Sequence, residues 1–289
     1  MIRLLKFIRN LFIFLLVSVL ILTGLTCYAR FIEPYNLKTS EIELRCERLK
    51  DGESLTIGVF SDTHFSAAYT TDDFESVIDA FAQMKPDVIV FTGDLIDFYN
   101  SYAAENDPDE ISLQLQRLEA PLGKYAITGN HDYADNAVIN IRGILENGGF
   151  TVLDNGSLVL PYGDFGNNTH FVLTGLDDYV IGHGEPSIVQ NNISTDYNIV
   201  LCHEPDVADM MTGSEIDLMI SGHTHAGQIN IPLITAYALP KLGEKYKYGL
   251  FKFDENPDMN LYVTSGIGMT KLPLRFNARP EVAKITISK

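Results

Sequence analysis

The segment Ser221-Gly222-His223-Thr224-His225-Ala226-Gly227-Gln228 sets two imidazoles two positions apart, just after the apolar run Ile216-Asp217-Leu218-Met219-Ile220. On extended backbone, side chains at that spacing share one side of the chain. Two neutral imidazoles held together suit a transition metal. A His-x-His pair alone says little, but four further clusters accompany it. Asp62-Thr63-His64 follows the run Leu55 to Phe60, and Gly93-Asp94 follows Asp87 to Phe91. Gly129-Asn130-His131-Asp132 follows Lys124 to Ile127, and Cys202-His203-Glu204-Pro205 follows Asn198 to Leu201. Five of the seven histidines fall in these clusters, which packed core histidines do not explain; His170 and His183 follow no such pattern. The donor set is Asp, His and Asn without a well-placed thiolate, which favours Mn, Fe or Zn over a structural cysteine-zinc site. It is too large for one tetrahedral ion, so two ions are the natural reading. Ions about 3.5–4 Å apart need a bridging group, and Asp94 is the best candidate.

The elements that must position these residues are legible in outline. The five apolar runs read as buried strands. Between the first ones, Asp72 to Met84 has Phe74, Val77, Ile78 and Phe81 on one helical face, with Pro86 beyond its end. Helices are also expected over Asp109 to Leu118 and Asn136 to Glu146, and a short one near Val207 to Met211. Further strands are expected at Ile42 to Cys46, Phe150 to Leu153, Ser157 to Leu160, Phe171 to Leu176, Tyr262 to Thr264 and Val282 to Ile287. Strands alternating with helices, then mostly strands, give a layered α/β domain. In such folds ligands bind beyond the carboxyl ends of strands, so five clusters at five strand ends can converge on one site.

The first thirty residues stand apart. Arg3, Lys6 and Arg9 precede a charge-free run from Asn10 to Ala29, closed by Arg30. At about 1.5 Å per residue this run spans the roughly 30 Å of a bilayer core. It exceeds the roughly 7–15 apolar residues of a cleaved signal peptide, so residues 1–30 are expected to be an uncleaved anchor. The basic flank should stay cytoplasmic, placing the remainder outside. Residues 31–50 read as a juxtamembrane linker and edge strand, and 51–289 as the catalytic domain. All 38 acidic residues and 17 of the 21 basic ones lie after residue 30. That acidity weighs against nucleic acid as a partner. Cys27, Cys46 and Cys202 are too few and too irregular for a disulfide framework or a zinc ribbon.

The five blocks, in this order from Ile57 to Gln228, resemble the calcineurin-like metallophosphoesterases. The tail Ser265-Gly266-Ile267-Gly268, with Leu272-Pro273-Leu274-Arg275-Phe276-Asn277 and Pro280-Glu281, is similar to a membrane-anchored bacterial subgroup of that family. Where that subgroup usually carries glycine after the second histidine, this chain has Ala226. The resemblance implies a four-layer αββα sandwich of two mixed sheets with a dinuclear metal site at the strand ends. It implies that Asp62, His64 and His225 bind one divalent ion and Asn130, His203 and His223 a second, bridged by Asp94, with manganese favoured. A metal-bridging hydroxide would attack phosphorus, and His131, bound to no metal, would act at the leaving group. It further implies a phosphate-ester substrate, diester or pyrophosphate, with lipid-linked forms such as UDP-diacylglucosamine in view.

Around that core, Asp97 and Asp132 are expected either to orient histidines or to serve as turn and helix-cap carboxylates. Arg275, and more weakly Asn277, are candidates to hold substrate phosphate. The long stretch Pro232 to Tyr248, with Tyr237, Lys241, Lys245 and Lys247, could shape the pocket or lie on the membrane. Two other functions fit parts of the pattern: a non-catalytic metal-binding scaffold or sensor, and a phosphomonoesterase or protein phosphatase. The complete ligand set with His131 argues against the first, and the lack of a regulatory segment against the second.

Overall fold

The computed structural model describes residues 2–103, 106–161, 169–181, 183–232, 235 and 239–289; Tyr237 lies outside the described residues. The chain opens with helix α1 (Ile2–Phe31), followed by a 3-10 turn at Glu33–Tyr35. The first sheet contains β1 (Lys38–Arg45), β2 (Ser54–Phe60), β3 (Val88–Phe91), β4 (Lys124–Ala126) and β5 (Thr151–Val152). The second contains β6 (Gly156–Val159), β7 (Phe171–Gly175), β8 (Tyr197–Leu201), β9 (Leu218–Ser221), β10 (Gly249–Lys252) and β11 (Asn260–Val263). The last strand, β12 (Glu281–Ser288), returns to the first sheet, whose order is β1-β12-β2-β3-β4-β5, while the second runs β10-β11-β9-β8-β7-β6. Strands β2 to β5 are mutually parallel, as are β7, β8, β9 and β11; β12 joins β2 antiparallel. Hence β2, β3 and β4 in one sheet and β8 and β9 in the other each deliver a carboxyl end to the site.

Period-two patterning places the two sheets face to face. Ile57, Val59, Val88, Val90 and Ile127 from the first pack with Leu173, Ile199, Leu201, Leu218 and Ile220 from the second. The opposite face of the first sheet, with Phe60, Ile89, Phe91 and Ala126, is covered by α2 (Glu75–Met84), α4 (Pro108–Gln116) and α5 (Val138–Asn147). The short α3 (Tyr99–Tyr102) lies between α2 and α4 in the chain. The outer face of the second sheet, with Val200, Met219 and Leu261, is covered differently. There Val207, Ala208 and Met211 come from a 3-10 turn at Pro205–Met210, so among the described residues this outer layer is built of turns rather than α-helices. The result is an α/β sandwich of two mixed sheets with the site at the strand ends.

Helix α1 is long and apolar enough to cross a membrane, and none of its apolar window is buried in protein. Its end is fastened to the domain. Arg275 N donates to Ala29 O at 2.9 Å, and Ala278 N donates to the Glu33 carboxylate at 2.6 Å. Arg279 bonds Asn36 through its backbone and side-chain oxygens, and Lys38 N donates to Pro280 O. Glu33, just beyond α1, is therefore a buried carboxyl committed to a loop of the domain.

Candidate metal centre and active site

The turns that end the five strands bring Asp62, His64, Asp94, Asn130, His131, His203, His223 and His225 together. Close packing of backbone makes this possible. A Cβ on Gly129 would lie 2.5 Å from Asp94 Oδ1 and 2.7 Å from His203 Cε1. One on Gly222 would run into Ser61 Oγ and Asp62 Oδ2. Three trios offer ligand atoms within 4.8 Å of one another; besides His64, Asp97 and His131, two are built of the expected ligands, Asp62, His64 and His225, and Asp94, His203 and His223. Asp94 Oδ2 lies between them, 3.1 Å from His203 Nε2 and 3.5 Å from His64 Nε2.

The hydrogen bonds behind the histidines set their tautomers. His203 Nδ1–H donates to Thr92 O at 2.6 Å, and His223 Nε2–H donates to Lys241 O at 2.9 Å. His64 Nδ1–H donates to Asp97 Oδ1 at 3.1 Å. In His64 and His223 the other nitrogen is left with its lone pair, as metal ligation requires, while in His203 it faces Asp94 Oδ2. His225 Nε2 stands 3.1 Å from His64 Nε2, two nitrogens facing one small space. The Asn130 carbonyl oxygen is buried and hydrogen-bonds nothing, and His203 Nε2 meets only Asp94 Oδ2, at 3.1 Å and off hydrogen-bond geometry. Buried polar atoms without partners are uncommon and costly. Together with the oxygen and nitrogen donor set, these orphans fit two divalent cations.

Electrostatics agree with a ligand role at two of the histidines, whereas His203 is raised, against burial, well above the usual imidazole range by Asp94 and Asp62. Burial, and then the neighbouring His203, push His223 down to about 3, and burial with His64 and Arg275 holds His225 well below the usual imidazole range. Both are neutral donors. Against burial, His203, His131 and His64 hold Asp94 well below the usual carboxylate range. His131 is also raised: burial opposes it, but Asp94 and Asp97 carry it up to about 9.

Asp97 orients two histidines. Its Oδ1 accepts from His64 and from Thr270 Oγ1 at 2.7 Å, and lies 3.2 Å from His131 Nδ1, which itself donates to Asp97 O. Asp132 does not orient a histidine. It accepts three backbone N–H groups, from Asp94 (2.9 Å), Leu95 (2.8 Å) and Gly129 (2.9 Å), and so clamps the β3 and β4 turns together. Burial, with Asp94 nearby, pushes it up to about 7 against those bonds.

Two expectations for substrate contacts are corrected. Arg275 is fully buried, and its guanidinium donates to the carbonyls of Gly268, Ser265 and Ala278. No N–H is left for a phosphate; Nη2 stands 3.4 Å from His225 Nδ1, behind the ligands. Asn277 is exposed but donates to Asn230 O and lines a separate cleft beside Tyr28 and Glu33. Cys46 and Cys202 are buried and unpaired.

The site opens into a cleft of about 210 Å³ walled by Asn130, His131 and His223 and, opposite, by Ile229, Pro240 and Leu272. Thr270 and Lys271 complete that wall, held by Gln228, whose side chain bonds Thr270 N, Thr270 O and Leu272 O. Thr270 and Gln228 were not singled out in the sequence; their roles depend on contacts 42 residues apart, and no local spacing reports that.

Comparison with known proteins agrees. The family model for calcineurin-like phosphoesterases matches residues 55–227. The Bacillus subtilis (strain 168) metallophosphoesterase YkuE is 35% identical over 284 residues, covering 98% of this chain and 96% of that one. Phosphodiesterase YaeI of Escherichia coli (strain K12) is 31% identical over 232 residues, covering 78% and 80%. A transmembrane protein with metallophosphoesterase domain from Danio rerio is 28% identical, covering 87% of this chain and 57% of its own length. With the converging strand-end ligands and these matches, the chain belongs to the calcineurin-like phosphoesterases, as a metal-dependent enzyme of that family.

Proposed function

We propose that this chain is a membrane-anchored two-metal phosphodiesterase or pyrophosphohydrolase. The observation that carries the proposal is the pair of ligand trios meeting at Asp94 on the floor of one cleft. Asp62, His64 and His225 would hold one divalent cation, and Asn130, His203 and His223 the other, with Asp94 shared. When bound, such ions supply Lewis acidity and a water acidified to near neutrality. Asp97 fixes the rings of His64 and His131. With His131 Nδ1–H committed to Asp97 O, Nε2 is the nitrogen left to hydrogen-bond the leaving-group oxygen.

The cleft supports a diester over a monoester. Apart from the proposed ligands and His131, Lys271 is the one charged side chain among the described residues that lines it. A monoester dianion would call for more cationic contacts, whereas a diester or an esterified pyrophosphate carries less charge per phosphorus. Ile229, Pro240 and Leu272 give the second substituent an apolar wall, which suits a lipid-linked ester. The name phosphodiesterase on the 31% identical relative points the same way. The basic flank Arg3, Lys6 and Arg9 supports a cytoplasmic N-terminus with the catalytic domain, residues 51–289, on the far side.

The test uses purified full-length protein charged with manganese against a nitrophenyl monoester, a bis-nitrophenyl diester and a UDP-linked glycolipid. Turnover of the diester or glycolipid above the monoester, lost in His131→Ala, is expected. Preference for the monoester would overturn the substrate assignment.

A further inference from the structure

Helix α1 is not a loose tether. Its last turn and the following residues are bonded to the stretch 275–280 at Ala29, Glu33, Asn36 and Lys38. That stretch continues, three residues upstream of Arg275, into Leu272 on the wall of the active-site cleft. Three residues span at most about 11 Å, so the cleft rim stands within a short distance of the end of the membrane segment. The polar layer outside the hydrocarbon core is itself roughly 5–8 Å deep on each side. Because the joint is multiply bonded, the orientation of the cleft relative to the bilayer is fixed by the fold.

The side chains around this joint suit a lipid surface. Phe31 is 66% exposed, Ile32 56%, and Leu272 55%, all on the same joined segments. The charged side chains of 28–38, 239–243 and 268–280 that are not buried are Arg30, Lys38, Lys241, Lys271 and Arg279; Arg275 and Glu33 are buried, the latter against Ala278 N. Acidic residues border these segments at Glu281, which pairs with Lys38 at 2.7 Å, and at Asp72 and Asp73, which line a cleft with Pro34, Tyr35 and Pro280. A domain that is acidic overall thus gathers Arg30, Lys241, Lys271 and Arg279 with exposed apolar side chains on the segments next to α1. Anionic headgroups attract such a face and repel the rest, within a screening length of about 8–10 Å.

We propose that this face, the cleft rim at Lys271–Leu272 together with the end of α1, docks flat on an anionic bilayer, so that the active site opens at the headgroup layer. The proposal rests on the reading of α1 as a membrane span. It is tested by fluorophore labelling of Leu272→Cys in a Cys27→Ser background, with full-length protein reconstituted in vesicles of phosphatidylcholine and phosphatidylglycerol carrying a headgroup nitroxide. The control label is Asp51→Cys, at the opposite end of β2 from Asp62 and 93% exposed at the side chain. Strong quenching at 272 with little at 51, weakening when phosphatidylglycerol is omitted, is the expected result. Lys271→Cys repeats the measurement should the Leu272 label disturb the loop. Protein that floats with the vesicles yet shows equal quenching at both positions, or none at 272, overturns the docking alone. Protein that does not float overturns the membrane reading and the docking with it.

Discussion

Asp132→Ala is the perturbation whose cost follows most directly from the structure. The carboxylate is fully buried and accepts three backbone N–H groups at 2.8–2.9 Å, two from the Asp94-Leu95 turn and one from Gly129. Each buried donor left without a partner costs about 1–3 kcal/mol. Three would cost about 3–9 kcal/mol if nothing replaced the carboxylate, and water entering the vacated space brings the expectation to the lower half of that range. For a domain of this size about 1 kcal/mol lowers the Tm by roughly 2–4 °C, so a fall on the order of 10 °C is expected. Asp132→Asn is the graded control. Its one carbonyl oxygen can still accept two N–H groups, while its amide faces the third, a loss of about 1–3 kcal/mol. The clamped turns carry Asp94 and Asn130, so metal content should fall in step. The assay is thermal unfolding of full-length protein beside elemental analysis at matched metal concentration. An Asp132→Ala protein with Tm and metal content unchanged would refute the clamp.

Three further outcomes are expected. His131→Ala should retain both ions and lose about 10²–10⁴-fold in kcat; an unchanged kcat would remove it from the chemistry. Asp94→Asn should lower bound metal below two equivalents, and intact stoichiometry by elemental analysis would contradict a shared ligand. Glu33→Ala leaves the buried Ala278 N–H unpaired, so urea unfolding should report a loss of about 1–3 kcal/mol; no loss would make residues 31–37 the simple linker they resemble in sequence.

Much of the site was legible because its residues sit at ends of apolar runs, and run ends survive small errors in strand boundaries. The eight residues expected at the site lie close together, in turns following β2, β3 and β4 of one sheet and β8 and β9 of the other. Arg275 was misread because spacing shows where a guanidinium lies along the chain and not which way it points. Only the fold reveals that its donors meet carbonyls of Ser265, Gly268 and Ala278. Asp132 was half-read for a related reason: a carboxylate beside histidines looks like their partner, yet the nearest donors are main-chain N–H groups that every residue has. The 3-10 turn at Pro205–Met210 falls where a helix was expected because apolar periodicity alone does not fix its pitch.

The backbone at the ligands explains why the pattern has the residue types it has. Asp62, His64, Asp94, His223 and His225 all have left-handed φ, between 41° and 71°. Asp and His tolerate that region better than most residues, but each position still costs of order 1–2 kcal/mol. Ala226 shares the conformation at φ 52°, which accounts for glycine being usual there in the resembling subgroup: the site requires the bend, and the methyl is endured. The same side chains help offset this cost. The Asp62 carboxylate accepts from His223 N, and Asp94 Oδ1 accepts from His131 N. These carboxylates therefore hold the turns that present their fellow ligands, besides facing the metal positions themselves. Removing either should lower stability even in metal-free protein, by about 1–3 kcal/mol for the orphaned N–H. Asp62→Ala unfolding in excess chelator isolates that part. If the variant and the parent then unfold together, the strained turns are held by something other than their ligands, and the coupling argued here between backbone and metal site fails.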